Sequence, residues 1–94
     1  MEANVNDAQQ QMLEHKVVID TDGPIIYLGT LMEITESAFT LEHADVHDCR
    51  EGHATKEVYI AEASRNGIAE NRRRVVVFLR HAMSISRLSD VVVE

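Results

Sequence analysis

Hydrophobic and polar positions divide the chain into one helical stretch and a series of short strands. Over residues 6–16, Ala8, Met12 and His15 recur at helical spacing with Leu13 beside them, which predicts a single short N-terminal helix. The pattern then turns β-branched and alternating. Strands are predicted over 17–22, 25–34, 38–46, 57–64, 73–80 and 84–88. In the second, Ile26, Leu28, Met32 and Ile34 share one face, with Phe39 and Leu41 doing so in the third. Val58 and Ile60 alternate with Tyr59 and Ala61 in the fourth. Asp22-Gly23-Pro24, Thr35-Glu36-Ser37 and Asn66-Gly67 supply turn signals between them. Gly29, inside a strand, marks a bend, a bulge or a close approach of backbone. The run Val75-Val76-Val77-Phe78-Leu79 reads as core or an inter-subunit edge, with both faces shielded from water. The polar stretch 47–56 reads as a loop or hairpin tip. Short strands behind one helix make the chain mainly β. An open sheet would leave two long edges unpaired, so a small closed barrel is expected, with any remaining edge pairing to a second copy.

Length changes that picture little: 94 residues form one domain, expected over 1–94. No apolar run is long enough to span a membrane. Residues 1–11 do not read as a secretory signal, and the single Cys49 has no partner for an internal disulfide, so cytoplasm is expected. Charge alters the picture more. The net charge is -7, and residues 1–50 hold ten acids against Lys16 and Arg50. An acidic chain repels phosphate at long range. The local exception is Arg72-Arg73-Arg74, either a phosphate-tracking basic rim or a solvated strand end.

Two constellations carry candidate chemistry. His43, Asp45 and His47 fall at i, i+2 and i+4, which puts them on one face of a strand, with His53 nearby. Imidazole and carboxylate are zinc ligands, so these four form a candidate metal site. The competing reading is a solvated strand end. Cys49 is the one candidate nucleophile and lacks an oxyanion motif or an orienting partner, so the chain is not read as an enzyme and no cofactor is expected.

The order of elements, and the residues Val17-Val18-Ile19-Asp20-Thr21-Asp22-Gly23, Gly29-Thr30-Leu31 with Ile34 and Leu41, Val75 to Arg80, and Met83-Ser84-Ile85-Ser86-Arg87-Leu88, resemble the Sm-like (LSm/Hfq-type) family over residues 6–90. The resemblance implies a small, strongly bent, five-stranded SH3-like barrel with an N-terminal α-helix. It also implies a homo-oligomeric ring of roughly five to seven copies acting on single-stranded RNA. Carried over residue by residue, the family's RNA-binding Asp falls at Thr35, its Asn at Phe39, and its Arg-Gly pair at Arg80 and His81. Thr35 would then hydrogen-bond a base, Phe39 would stack if it is exposed, Arg80 would hold phosphate or a base edge, and His81 would stack or donate. Phe39 fits a core position equally. The substituted pocket residues and the acidic charge support an alternative: a ring that serves as a structural or protein-interaction module without RNA. Metal binding through the histidines is the third reading.

Overall fold

The computed structural model describes residues 5–52 and 54–93. The elements run α1 (Val5–Gln10), β1 (Lys16–Thr21), β2 (Ile25–Ile34), β3 (Ala38–Asp48), α2 (Lys56–Asn66), β4 (Arg72–Phe78) and β5 (Ala82–Arg87). The helix at 6–16 is shorter than its pattern predicts. Tight turns carry the chain to Glu14, whose φ of 68° lies in the left-handed region and ends the helical path. The Glu14 N–H then donates to the Leu31 carbonyl at 2.7 Å, starting the sheet.

All strands are antiparallel, in the order β4-β3-β2-β1-β5. The closed barrel is corrected in one respect. Among the described residues β4 and β5 are the two ends of the sheet and do not pair with each other. The sheet instead bends until both end strands pack on one interior. Val17, Ile19, Leu31, Phe39, Leu41, Ala44 and Val77 form that interior, with Ala82 and Ile85 of β5 and Met12 and Leu13 of the N-terminal turn against it.

Gly29 lets the sheet bend. A Cβ there would lie 3.1 Å from both the Ala44 Cβ and the Glu42 carbonyl oxygen, so only glycine admits this approach without displacement. Register shifts flank it, between Leu28 and Thr30 and between Leu31 and Glu33. They break the predicted common face of β2. Ile26 and Leu28 face outward, Leu31 faces the interior, and Met32 is exposed.

The strand predicted over 57–64 is instead the helix α2. The Thr55 hydroxyl oxygen accepts from the Val58 N–H at 3.2 Å and caps its start. Gly67, with φ of 93°, ends it, its N–H bonding the Ala63 carbonyl at 2.9 Å. Asn66-Gly67 is thus a helix stop and not a hairpin turn. The Lys56 ammonium fastens the start of α2 to the end of β1, donating to Asp20 Oδ1 at 2.6 Å and to the Thr21 carbonyl at 3.0 Å. The helix lies over the outer face of β1 and β2, where Ala63, Tyr59 and Ile60 meet Val18, Ile26, Leu28 and Leu88. The polar stretch after residue 46 is partly strand as well, since β3 runs to Asp48 before a 3-10 turn over Cys49–Glu51. Among the described residues, no helix is long and apolar enough to cross a membrane.

Candidate functional site

Two turns meet at one end of the barrel. The β2–β3 turn is organised by Thr35. Its hydroxyl oxygen accepts from the Ala38 N–H at 3.0 Å and the Ser37 N–H at 3.3 Å, while its O–H donates to the Ala38 carbonyl at 3.3 Å. The second turn is the 3-10 segment Leu79–His81, joining β4 to β5. The Leu79 N–H donates to the Ser37 carbonyl at 2.9 Å, and Ala38 pairs with Phe78, so the turns are tied side by side. The fold therefore brings Thr35, Arg80 and His81 to the same end.

Their chemistry differs from the expectation at two positions. The Thr35 hydroxyl has its donor and both acceptor positions engaged within its own turn, so a base would have to displace an existing bond. Phe39 is 1% exposed, inside the barrel, so its stacking role is corrected to a core role. The ring offered to solvent here is Phe78, half exposed at the end of β4. The Arg80 guanidinium carbon lies 5.4 Å from the centre of that ring, a cation–π contact. Arg80 also donates through Nε to His81 Nε2 at 3.3 Å. An exposed aromatic face, a guanidinium plane and an imidazole thus share one surface, a combination suited to planar, electron-rich ligands such as nucleobases. Sequence reading missed Phe78 because the run from Val75 to Leu79 looked uniformly buried. The available signal was alternation: with Val77 inward, Phe78 must point out.

The arginine rim is separate from this surface. Arg72, Arg73 and Arg74 are exposed at the opposite end of β4, about 13–20 Å from Phe78 at the usual rise of a strand. Arg72 donates to the Asn71 carbonyl at 3.0 Å, and Arg74 lies opposite Glu42.

The candidate metal ligands are not brought together. His43 has φ of 50°, which takes it out of the strand alternation, and its Nδ1 lies 3.2 Å from Glu70 Oε1. Asp45 is 2% exposed and fully partnered, accepting from the Tyr59 hydroxyl and from Asn71 Nδ2 at 2.9 Å. The His47 ring stacks flat on Tyr59 with centroids 3.7 Å apart. His53 lies outside the described residues. Among the described residues no group of three or more His, Cys, Asp or Glu side chains is placed to hold a metal ion.

Asp45, Tyr59 and Asn71 form a polar clamp that the sequence did not disclose. The Asn71 amide donates to the Val46 carbonyl at 3.1 Å and accepts from the Val46 N–H at 3.0 Å, in effect extending the β3 ladder. The clamp joins β3, α2 and the entry to β4. Burial, and then Asp45, push the Tyr59 phenol above its usual range. Burial likewise pushes the Cys49 thiol up, which disfavours the thiolate.

No family model and no curated protein matches the chain. Among solved structures, its fold is similar to that of an Sm protein from Pyrococcus abyssii, determined in complex with a uridine heptamer. The TM-score is 0.62 over 90% of this chain and 99% of that one, at 12% identity. The bent five-stranded antiparallel sheet with a short N-terminal helix is therefore an Sm-type fold.

Proposed function

We propose that this chain is the subunit of a homo-oligomeric Sm-like ring that binds single-stranded RNA on the surface made by Phe78, Arg80 and His81. The observation that carries the reading is the exposed aromatic–guanidinium surface on this fold, at the end where the Thr35 and Leu79–His81 turns meet. The fold's likeness to a protein solved with uridine RNA supports it. Among the described residues the outer edges of β4 and β5 are unpaired, which supports the ring, because each offers a row of backbone donors and acceptors to a neighbour. Arg80 would hold phosphate and the Phe78 face would take a base. No catalytic step is proposed.

A second reading, a ring that serves as a protein-interaction module, is favoured by the buried Phe39 ring and the fully engaged Thr35 hydroxyl. One experiment separates the two. Native mass spectrometry of the purified protein should give a single closed oligomer. Binding to a short oligouridine should weaken with salt, each neutralised phosphate adding about -0.7 to the logarithmic slope. Arg80→Ala should lower affinity roughly tenfold, the worth of one charge-assisted hydrogen bond. A closed oligomer with no RNA affinity at low salt would leave only the protein-interaction ring.

A further inference from the structure

We infer that the RNA strand proposed above runs along the outer face of β4, from the Phe78 ring to Arg74 and Arg72, held by stacking and charge without regard to base. The inference rests on the RNA reading. It adds the path of the strand, its minimum length and its indifference to sequence. The path uses the outer face of β4 and leaves the edge of that strand free.

Strand alternation lays out the path. Val75 and Val77 turn toward the barrel interior. Arg74, Val76 and Phe78 therefore share the outer face, and Arg72 continues the same alternation. Val76 and Phe78 are 48% and 50% exposed. In order along the strand the face offers two guanidinium groups, an aliphatic side chain and an aromatic ring, with Arg80 lying over that ring. These are the parts of a single-strand platform: cations that follow phosphates, and flat or apolar groups that take bases.

Charge supplies the second argument. The chain carries a net charge of -7, yet this face is cationic. Arg72, Arg73, Arg74 and Arg80 supply four of its nine basic side chains, and among the described residues none of the four makes an ion pair. Arg50 and Lys56, by contrast, are each bonded to an aspartate. Glu42 lies opposite Arg74 in the strand register and offsets part of one charge, not of the other three. A guanidinium without a carboxylate keeps its donors available to a phosphate.

Length follows from the geometry. Arg74 and Arg72 lie about 13 and about 20 Å from Phe78 at the usual rise of a strand. That span is about four to six nucleotides at a stacked spacing of about 3.4 Å per phosphate. A dinucleotide reaches the ring and Arg80 alone, whereas a longer strand reaches the arginines as well. Indifference to base follows from the groups on the path, because a ring face and phosphate-bound guanidiniums accept any base. The nearby hydroxyl of Thr35, which could read a base edge, is engaged within its own turn.

The test measures binding of the full chain to a uridine dinucleotide and a uridine octamer. The octamer should bind at least roughly tenfold tighter at low salt, through the added phosphate contacts. Combining Arg72→Gln, Arg73→Gln and Arg74→Gln should erase that gain and leave dinucleotide binding unchanged. The logarithmic salt slope for the octamer should fall by about 2, three phosphate contacts at about 0.7 each. Uridine and cytidine octamers should bind within about threefold of each other. A length gain that survives the triple variant overturns the path and leaves the Phe78 site standing, as does a preference above about tenfold for one base. No binding of either length at low salt overturns both. A second variant guards against a triple variant that misfolds. Val76→Lys, on the path, should strengthen octamer binding at least about threefold. Gln10→Lys, exposed on α1 and outside the path, should not. Equal effects of the two lysines would overturn the path.

Discussion

β1 and β4 each carry three consecutive β-branched aliphatic residues, Val17-Val18-Ile19 and Val75-Val76-Val77, yet they meet opposite surroundings. In β1 all three are at most 3% exposed. In β4 Val77 is 2% exposed, while Val76 and the following Phe78 are half in water. The difference is not in the strands but in what lies over them. α2 and Leu88 cover the outer face of β1, so Val18 packs outward as well as Val17 and Ile19 pack inward. Among the described residues no element lies over the outer face of β4, and it ends the sheet. Burying a side chain of this kind is worth about 1.5–3 kcal/mol. β1 realises that gain within one chain. β4 holds it in reserve for another surface, which is why the proposed RNA path is assigned there.

The sharpest way to break this comparison is to truncate both strands. Ile19→Ala should cost about 2–5 kcal/mol in urea unfolding, because the side chain is fully buried and its loss leaves a cavity. Val76→Ala, measured at dilutions where the chain is monomeric, should change stability by less than about 0.5 kcal/mol, as expected for an exposed position. Equal costs would mean that something in the monomer covers β4 and would remove the reason for assigning it a partner.

The same comparison separates what the sequence discloses from what it does not. The β-branched run at 17–19 and the alternation at 39 and 41 place these residues correctly, because period-2 burial is a property of the strand itself. The run at 75–79 suggests shielding on both faces, but a sequence cannot tell which strand receives a helix over its back. α2 was hidden because Val58, Tyr59, Ile60 and Ala61 also alternate, and four residues fit either period. Its caps were the better guide, Thr55 before it and Gly67 after it. The metal cluster failed at His43, where a single positive φ breaks the i, i+2, i+4 face. Of the candidate site, Arg80 is expected at the end of a strand over 73–80 with His81 just after it, whereas the strand ends at Phe78 and both lie in the 3-10 turn Leu79–His81. Phe78 is not legible as exposed, because an unbroken apolar run reads as buried. The Asp45–Tyr59–Asn71 clamp joins positions 14 and 26 residues apart in sequence, which no local pattern reveals.

That clamp gives a smaller effect, specific to the covered side of the molecule. Tyr59→Phe removes the donor to Asp45 and should cost about 1.5 kcal/mol, the low end for a bond to a carboxylate because Tyr59 is only partly buried. Its pH dependence has a definite sign. The folded phenol titrates above its unfolded value near 10, so its contribution is whole below about pH 10 and falls away as pH rises beyond it. The native protein should therefore lose stability more steeply than the Phe variant on the alkaline side, and the two should run parallel at neutral pH. Parallel curves throughout would show that the hydroxyl does not hold α2 down.

The smallest effect isolates the helix from the strand it covers. Thr55→Ala deletes the hydroxyl that accepts the Val58 N–H and should cost about 1 kcal/mol, the usual worth of a capping residue. By hydrogen exchange, amides of α2 should then exchange roughly fivefold faster, since about 1 kcal/mol corresponds to that factor in an opening equilibrium. Amides of β4 should keep their rates, because their ladder partner is β3 and not the helix. Acceleration of both would make α2 and β4 a single opening unit through the Asn71 clamp. The bare face of β4 would then depend on the helix after all, and the contrast between a strand completed within the chain and a strand completed by a ligand would fail.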